Sequence, residues 1–446
     1  MKKILILGIV VLLCVPTAFA TLVTNMNQSA LYFRLLSRNA STDIDAVFYN
    51  PAGLVLLKNG WHISLNNQTI FQEKTVTNNF IFLNTKKYVG KVNVPVFPDF
   101  YAVYKKDRLA LSFGFGPNSG GGTADFSKGL PSFETQIASL PAMISGLKIP
   151  TTAYSVDIAF KGKSVFYGFQ ANASYAFTAQ IAAAVGVRYI SASNSYEGSI
   201  GKIMINPKHP LINPTGQMMS ASQFFGLIGQ ATYAALTKDK KVDVEQTGTG
   251  FTPLLSLSLH PVAGLNIGLK YEFNTKLTLT NKTAKDDVGM FPDGAKTRND
   301  IPAILSLGVG YDLTPKLRAS VSYNLFFDRS ADWDGREKFV ESNSWDLGFG
   351  LEYDVTTAFS LSAGYLRTQF KLGPNYQSDF GHDLSASSFG FGARFRLGQA
   401  VDLDLGGLYS AYEKAEKTIV YPGIGSFLEK YERSNFGVAV GLNFHF

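Results

Sequence analysis

The chain has 446 residues, 46% hydrophobic and 13% aromatic, but only 17% charged, where soluble domains carry about a quarter. Glycine (42), phenylalanine (35) and tyrosine (21) are abundant and Lys/Glu-rich blocks are nearly absent, which points away from a soluble helical domain and toward an all-β protein with much apolar surface. The net charge of +7 is scattered beside acids, without a basic run interleaved with aromatics, so nucleic acid is not expected as a partner.

At the start, Lys2 and Lys3 precede an apolar run from Ile4 to Val15 and then "PTAFA". That order predicts a signal peptide over 1–20, cut after Ala20, and hence an exported chain. The single cysteine, Cys14, lies inside it and follows Leu13 rather than the small residue of a lipid-attachment site. Past residue 20 no apolar stretch reaches the ~20 residues that a spanning helix needs. An exported chain is then either soluble or a closed β-barrel, the other structure that satisfies its backbone in lipid.

Residues 21–59 come before any strand-like text. "MNQSALYFRLLSRNA" has helical spacing, Ser41 or Thr42 with Asp45 can cap a second short turn, and "DIDAVFYNPAGL" closes on the turn residues Asn50, Pro51, Ala52 and Gly53. Leu31, Phe33, Leu35, Val47, Phe48 and Tyr49 make the segment too apolar for a free extension. It has the size to fill a barrel lumen too wide for wall side chains alone, so a hatch is predicted over 21–59.

From residue 60 onward, segments alternate with period two. In "NIGLKYEFN", Ile267, Leu269, Tyr271 and Phe273 oppose Asn266, Gly268, Lys270 and Glu272; "SFGFGARFRL" and "VDLDLGGLYS" repeat the pattern. One face is bulky and aromatic, the other rich in glycine, serine and paired charge, which fits lipid outside and a polar lumen inside. The predicted spans are 60–73, 96–105, 108–116, 164–178, 180–197, 243–260, 264–280, 298–312, 316–330, 342–354, 357–371, 384–398, 400–413 and 433–446. Together they make an antiparallel transmembrane β-barrel of about 14 strands over 60–446. Tight links such as 105–108 and 313–316 alternate with long ones, chiefly 117–163 and 198–242, as periplasmic turns alternate with outer loops. "TTAYSVDIAF" (151–160) also reads as strand, but counting it would give an odd number, so it is assigned to the 117–163 loop.

Glycines in the third span, Gly114 and Gly116, weaken pairing there and place a bend between Ser112 and Pro117. Two loops carry helical spacing: Leu130, Phe133, Ile137 and Leu140, then Phe224, Leu227, Ile228 and Ala231. These apolar faces either pack the loops on themselves or offer a landing surface for a hydrophobic solute. Alternation points Arg188, Lys270, Arg318, Arg394 and Arg396 inward. The last two are expected to pair with Asp402 and Asp404, and Arg318 with Asp312. Arg188, among uncharged neighbours in "VGVRYISAS", is the candidate for an anionic head group. The five histidines show no metal-protease spacing, and His382-Asp383 reads as a solvated loop pair, so no enzyme activity is expected.

The stretch "LSRNASTDIDAVFYNPAGL", with its Asn50-Pro51-Ala52 motif, resembles the N-terminal hatch of the FadL family of outer-membrane transporters for long-chain fatty acids and other hydrophobic compounds. "PDFYAVYK", "LSFGFGPNSGGGTADF" and the terminal Phe446 extend the resemblance over the mature chain, mainly as pattern. It implies a monomeric 14-stranded barrel in a Gram-negative outer membrane, plugged by the hatch and assembled through recognition of Phe446. It also implies passive uptake without cofactor or metal: capture by outer loops, binding in the lumen, and lateral release at the third-strand bend, with the hatch as gate; Phe48 joins Arg188, Phe133, Ile137 and Leu140 as a candidate ligand contact. The alternative reading is a plugged barrel whose loops serve adhesion or another surface interaction.

Overall fold

The computed structural model describes residues 29–421 and 424–446. The predicted signal peptide, Cys14 and the first part of the 21–59 segment lie outside the described residues. The rest is a closed barrel of 14 antiparallel strands. In chain order these are β1 (Gly60–Asn78), β2 (Lys87–Lys106), β3 (Leu109–Phe126), β4 (Tyr154–Ala176), β5 (Ile181–Ile205) and β6 (Lys240–Leu259). Next, β7 runs in two pieces (Leu265–Glu272 and Thr278–Asp286), as does β8 (Lys296–Arg298 and Ile304–Thr314). Then come β9 (Leu317–Phe326), β10 (Val340–Asp354), β11 (Phe359–Leu372), β12 (Ala386–Leu397), β13 (Val401–Tyr412 and Ala415–Tyr421) and β14 (Gly425–His445). The sheet closes where β1 pairs with β14, from His62↔His445 to Asn78↔Glu429. The last residue finishes this seam: the Phe446 N–H donates to Trp61 O (2.8 Å) and Trp61 N–H donates to Phe446 O (3.2 Å).

Alternation sets the two faces of the wall. Leu65, Phe71, Phe113, Val185, Leu307, Phe349, Phe391 and Val440 project outward and are exposed, whereas Ser64, Asn66, Ser258, Ser322 and Asn443 point inward and are buried. A belt of exposed apolar side chains on a sheet without edges is the surface of a membrane-spanning barrel. Residues 151–160 differ from the expectation: Tyr154–Ala176 is one continuous strand. The segment is the outward continuation of β4, and spans remain even in number because strands here run well past the roughly ten residues that lipid requires.

Residues 29–57 pack against the inner face of the wall. Helix α1 (Ala30–Leu35) starts at Ser29, whose hydroxyl accepts from the Tyr32 N–H (3.2 Å), and stops at Leu36 in the left-handed region. Helix α2 (Ala46–Tyr49) and a 3₁₀ helix (Pro51–Leu56) follow. The wall makes room with glycine: a Cβ on Gly364 would stand 2.2 Å from Leu35 O, and one on Gly390 2.3 Å from Phe33 O. The Arg34 guanidinium, fully buried, bridges Glu352 of β10 (2.6 Å) and Asp404 of β13 (3.1 Å). At the long-loop end, hereafter the outer end, α3 (Pro131–Ala138), α4 (Leu140–Gly146), α5 (Ala221–Leu227) and α6 (Ala231–Leu236) fold over an apolar cluster with Phe80, Phe224 and Phe225 at its centre.

Candidate functional site: a break in the wall beside a lumenal cavity

Strands β2 and β3 pair from Lys106↔Leu109 to Phe100↔Phe115, and meet again only at Lys91↔Asp125. Between these points the ladder is open. The cause is written in the sequence. Two residues past the last pair, Pro98 would fall opposite Pro117, and neither has an N–H to give. Pro95 adds to this from the other side of β2. The β1–β2 register slips between Gln68 and Ile70, and the Pro95 carbonyl accepts from Thr69 Oγ1 instead (2.8 Å). Strand β3 stays with β4 but slips after Pro117 and again after Gly120, where Gly120 and Gly122 take positive φ (79° and 67°). The expected bend between Ser112 and Pro117 is therefore displaced. Ser112 and Gly114 sit in the intact ladder; Gly116 and Pro117 form the lip of an unpaired stretch that runs on to Ala124 and is packed at Gly122 by the Val92 and Val94 side chains.

Behind this lip is a cavity of about 10 Å³, room for one water, lined by Phe48, Gly114, Gly116, Pro117, Asn118 and Arg188 among others. Gly114 faces inward as expected, and a Cβ there would lie 2.9 Å from Val47 Cγ1. The Asn118 Oδ1 is buried without a partner.

Arg188 is not the free cation that its sequence neighbours suggest. It points inward, but its guanidinium is bonded to Glu272 (2.7 Å) and to Gln170 Oε1 (2.9 and 2.6 Å). Lys270 binds the same carboxylate (2.6 Å) and donates to Phe48 O (2.7 Å). The Phe48 ring lies under both cations, 4.4 Å from Arg188 Cζ and 4.8 Å from Lys270 Nζ. The site is a desolvated cation–carboxylate–aromatic cluster in which two cations share one carboxylate. Of the other inward cations, Arg394 pairs with Asp404 as expected (3.0 Å). Arg396 instead reaches Asp354 (3.2 Å), and Arg318 binds Glu352 and Asp354 rather than Asp312. Arg318 takes carboxylates one strand over, on β10, and Arg396 takes one two strands over, across β11.

The motif residues hold the inner segment to β6 and β4. Asn50 Nδ2 donates to Ser41 O (3.0 Å) and Ser258 Oγ (3.4 Å), while Ser256 Oγ donates to Asn50 Oδ1 (3.1 Å). The Ala52 N–H donates to Ser256 Oγ (3.3 Å), and Ser174 Oγ donates to Pro51 O (2.7 Å). At Gly53 a Cβ would meet Ser41 O at 2.4 Å.

At the outer end, Ile137 and Leu140 are buried inside the loop cluster, so they pack the loops on themselves. Phe133 is half-buried between the rings of Phe160 (5.8 Å) and Phe380 (5.2 Å). Leu227 and Leu211 are exposed, by 65% and 90%. His382 and Asp383 are not solvated: both are buried in the 373–385 loop, with the His382 ring tilted against that of Tyr431 (5.1 Å). Burial holds the His382 imidazole well below its ordinary pKa. Among the described residues no group of three or more His, Cys, Asp or Glu side chains has the geometry of a metal site.

Fold and site together define a membrane-spanning barrel with an occupied lumen and an interrupted seam between β2 and β3. Solved structures share that architecture. A FadL homologue from Pseudomonas aeruginosa superposes with a TM-score of 0.62 at 14% identity, over 96% of this chain and 99% of that one. The toluene transporter TodX of Pseudomonas putida gives 0.59 at 14% identity over 91% and 95%. The Ralstonia pickettii toluene transporter TbuX gives 0.53 at 16% identity over 90% and 94%. No protein-family model matches the sequence, and no curated protein does.

Proposed function

We propose that this chain is a passive outer-membrane channel for hydrophobic small molecules, with lateral exit through the opening between β2 and β3. The interrupted ladder beside a lumenal cavity is the observation that carries the reading; the likeness to the solved FadL homologue and toluene transporters supports it. Exposed apolar residues of the outer helices capture the solute. It passes into the lumen, where residues 29–57 act as the gate, and Phe48 with its cationic neighbours meets it beside the lip. A sideways exit keeps an apolar chain out of water and so saves roughly 0.8 kcal/mol per buried methylene. Diffusion down a gradient drives it.

A staple across the opening tests this route. A Cβ on Gly122 would lie 3.8 Å from Val94 Cβ, within the range of a disulfide. Val94→Cys with Gly122→Cys should close the opening when oxidised. Uptake of labelled oleate or toluene by a transporter-null strain should then fall to background and return on reduction. Equal uptake by the oxidised and reduced barrels would reject lateral exit here.

A further inference from the structure

The break between β2 and β3 is filled by side chains. Val92, Val94 and Phe97 of β2 are buried there together with Val165 of β4, and Ile70 and Tyr167 pack against them. These side chains start from opposite faces of the wall. Val94 stands opposite Ile70 and Phe97 opposite Gln68, in the row of β1 that faces inward while Phe71 faces out. Val165 belongs to the outward row of β4 with the exposed Phe169, yet it is only 6% exposed. In an intact sheet the backbone separates two such rows. Here β3 slips and lets them meet: a Cβ on Gly122 would stand 2.4 Å from Val94 Cγ2 and 2.9 Å from Val92 Cγ1. The result is a column of apolar side chains through the wall. It runs from Ile70 on the lumen side to Tyr167 on the lipid side, where Tyr167 stacks on Phe115 (5.6 Å).

Side chains, rather than ladder bonds, therefore close this stretch. It is pinned at both ends, by Lys91↔Asp125 on the outer side and by Phe100↔Phe115 on the other. Between the pins β2 keeps its pairing with β1 apart from the slip at Pro95, and β3 keeps to β4. About 30 Å of strand separates the pins. A slit of that form is long and cannot widen far. Its side chains can turn aside, but the flanking backbones, each bonded to its other neighbour, cannot follow. We propose that Val92, Val94, Phe97 and Val165 form a lateral gate that selects solutes by width: a single alkyl chain or a single aromatic ring passes, and a cage or fused-ring hydrocarbon of like carbon number does not. The inference rests on the channel reading above and names what decides its substrates. An alkyl chain threads between the displaced side chains whatever its length, because the slit is long. A rigid cage has no narrow dimension and would need the pins to part. The column is apolar except for the Tyr167 hydroxyl, so its contacts discriminate by shape rather than by functional group.

The test compares decane with adamantane, a cage of the same carbon number, in a transporter-null strain that makes the full chain. The wild type should accelerate entry of labelled decane and leave adamantane at the rate of cells without the protein. Val94→Ala with Phe97→Ala should raise adamantane entry about tenfold or more and still exclude a small polar dye. Val165→Ala should shift adamantane entry in the same direction. Heat-modifiable electrophoretic mobility reports that each variant is folded. Equal acceleration of both hydrocarbons by the wild type overturns the width gate and leaves the channel standing. So does a folded double variant that still excludes adamantane, or one that admits the dye as well, which would be a hole rather than a gate. A folded wild type that accelerates neither hydrocarbon overturns both readings.

Discussion

Asn50 uses both ends of its side-chain amide, donating to Ser41 O and accepting from Ser256 Oγ. It therefore ties the inner segment to itself and to β6 at once. Replacing it with alanine strands a buried carbonyl and a buried hydroxyl, each at a cost of about 1–3 kcal/mol. The barrel wall has no such debt, because its ladder pairs are untouched. For Asn50→Ala we expect normal amounts of folded barrel in the membrane, faster hydrogen exchange over residues 41–57, and lower uptake. Assembly and uptake falling together would make the motif a folding element only. Arg188 marks where reading at this scale stops. Its inward direction is legible from the alternation in "VGVRYISAS"; its neutralisation is not. Glu272 lies two strands away across β6, and only the register of both ladders brings the two together.

At the scale of elements, the strands were legible because lipid on one side and a polar lumen on the other impose a strict period of two. Their outward continuations were not, because beyond the lipid that constraint ends and polar text such as "TTAYSVDIAF" reads as loop. The break between β2 and β3 was half legible. The glycines drew attention to β3, but the deciding pair, Pro98 against Pro117, appears only when two strands are set in register. The 373–385 loop makes a prediction of its own. Its buried His382 has a pKa held below the ordinary 6.5 by burial first and then by Lys74 and Arg433. On unfolding of the loop the imidazole regains a normal affinity for protons, so the open form binds more protons than the closed one. The closed loop is then fully stable above pH ~6.5 and loses stability as the pH falls below it. Hydrogen exchange over 373–385 should accelerate between pH 8 and pH 5, and His382→Phe should weaken the dependence. A wild-type loop with pH-independent protection, after correction for the intrinsic exchange rate, would refute this account.

The whole molecule combines a wall that is complete without the inner segment and a lumen that is not. The strands close through β1 and β14 without any contribution from residues 29–57. Yet the inner face carries glycines that open directly onto α1, and the carboxylates Glu352 and Asp404 take their shared cation from Arg34. Withdraw the segment and the wall keeps every ladder bond, while water replaces Arg34 as the partner of those acids. In the proposed reading, the 14-stranded barrel then becomes a wide aqueous pore, as the lumen of a barrel this size exceeds what its own side chains fill. Deleting residues 29–57 should thus leave a folded, heat-modifiable barrel that conducts ions steadily in planar bilayers, where the full chain is silent. It should also admit small polar solutes that the full chain excludes. A deleted form that stays closed would assign the seal to the outer helices instead, and one that fails to fold would make the segment part of the core on which the wall assembles.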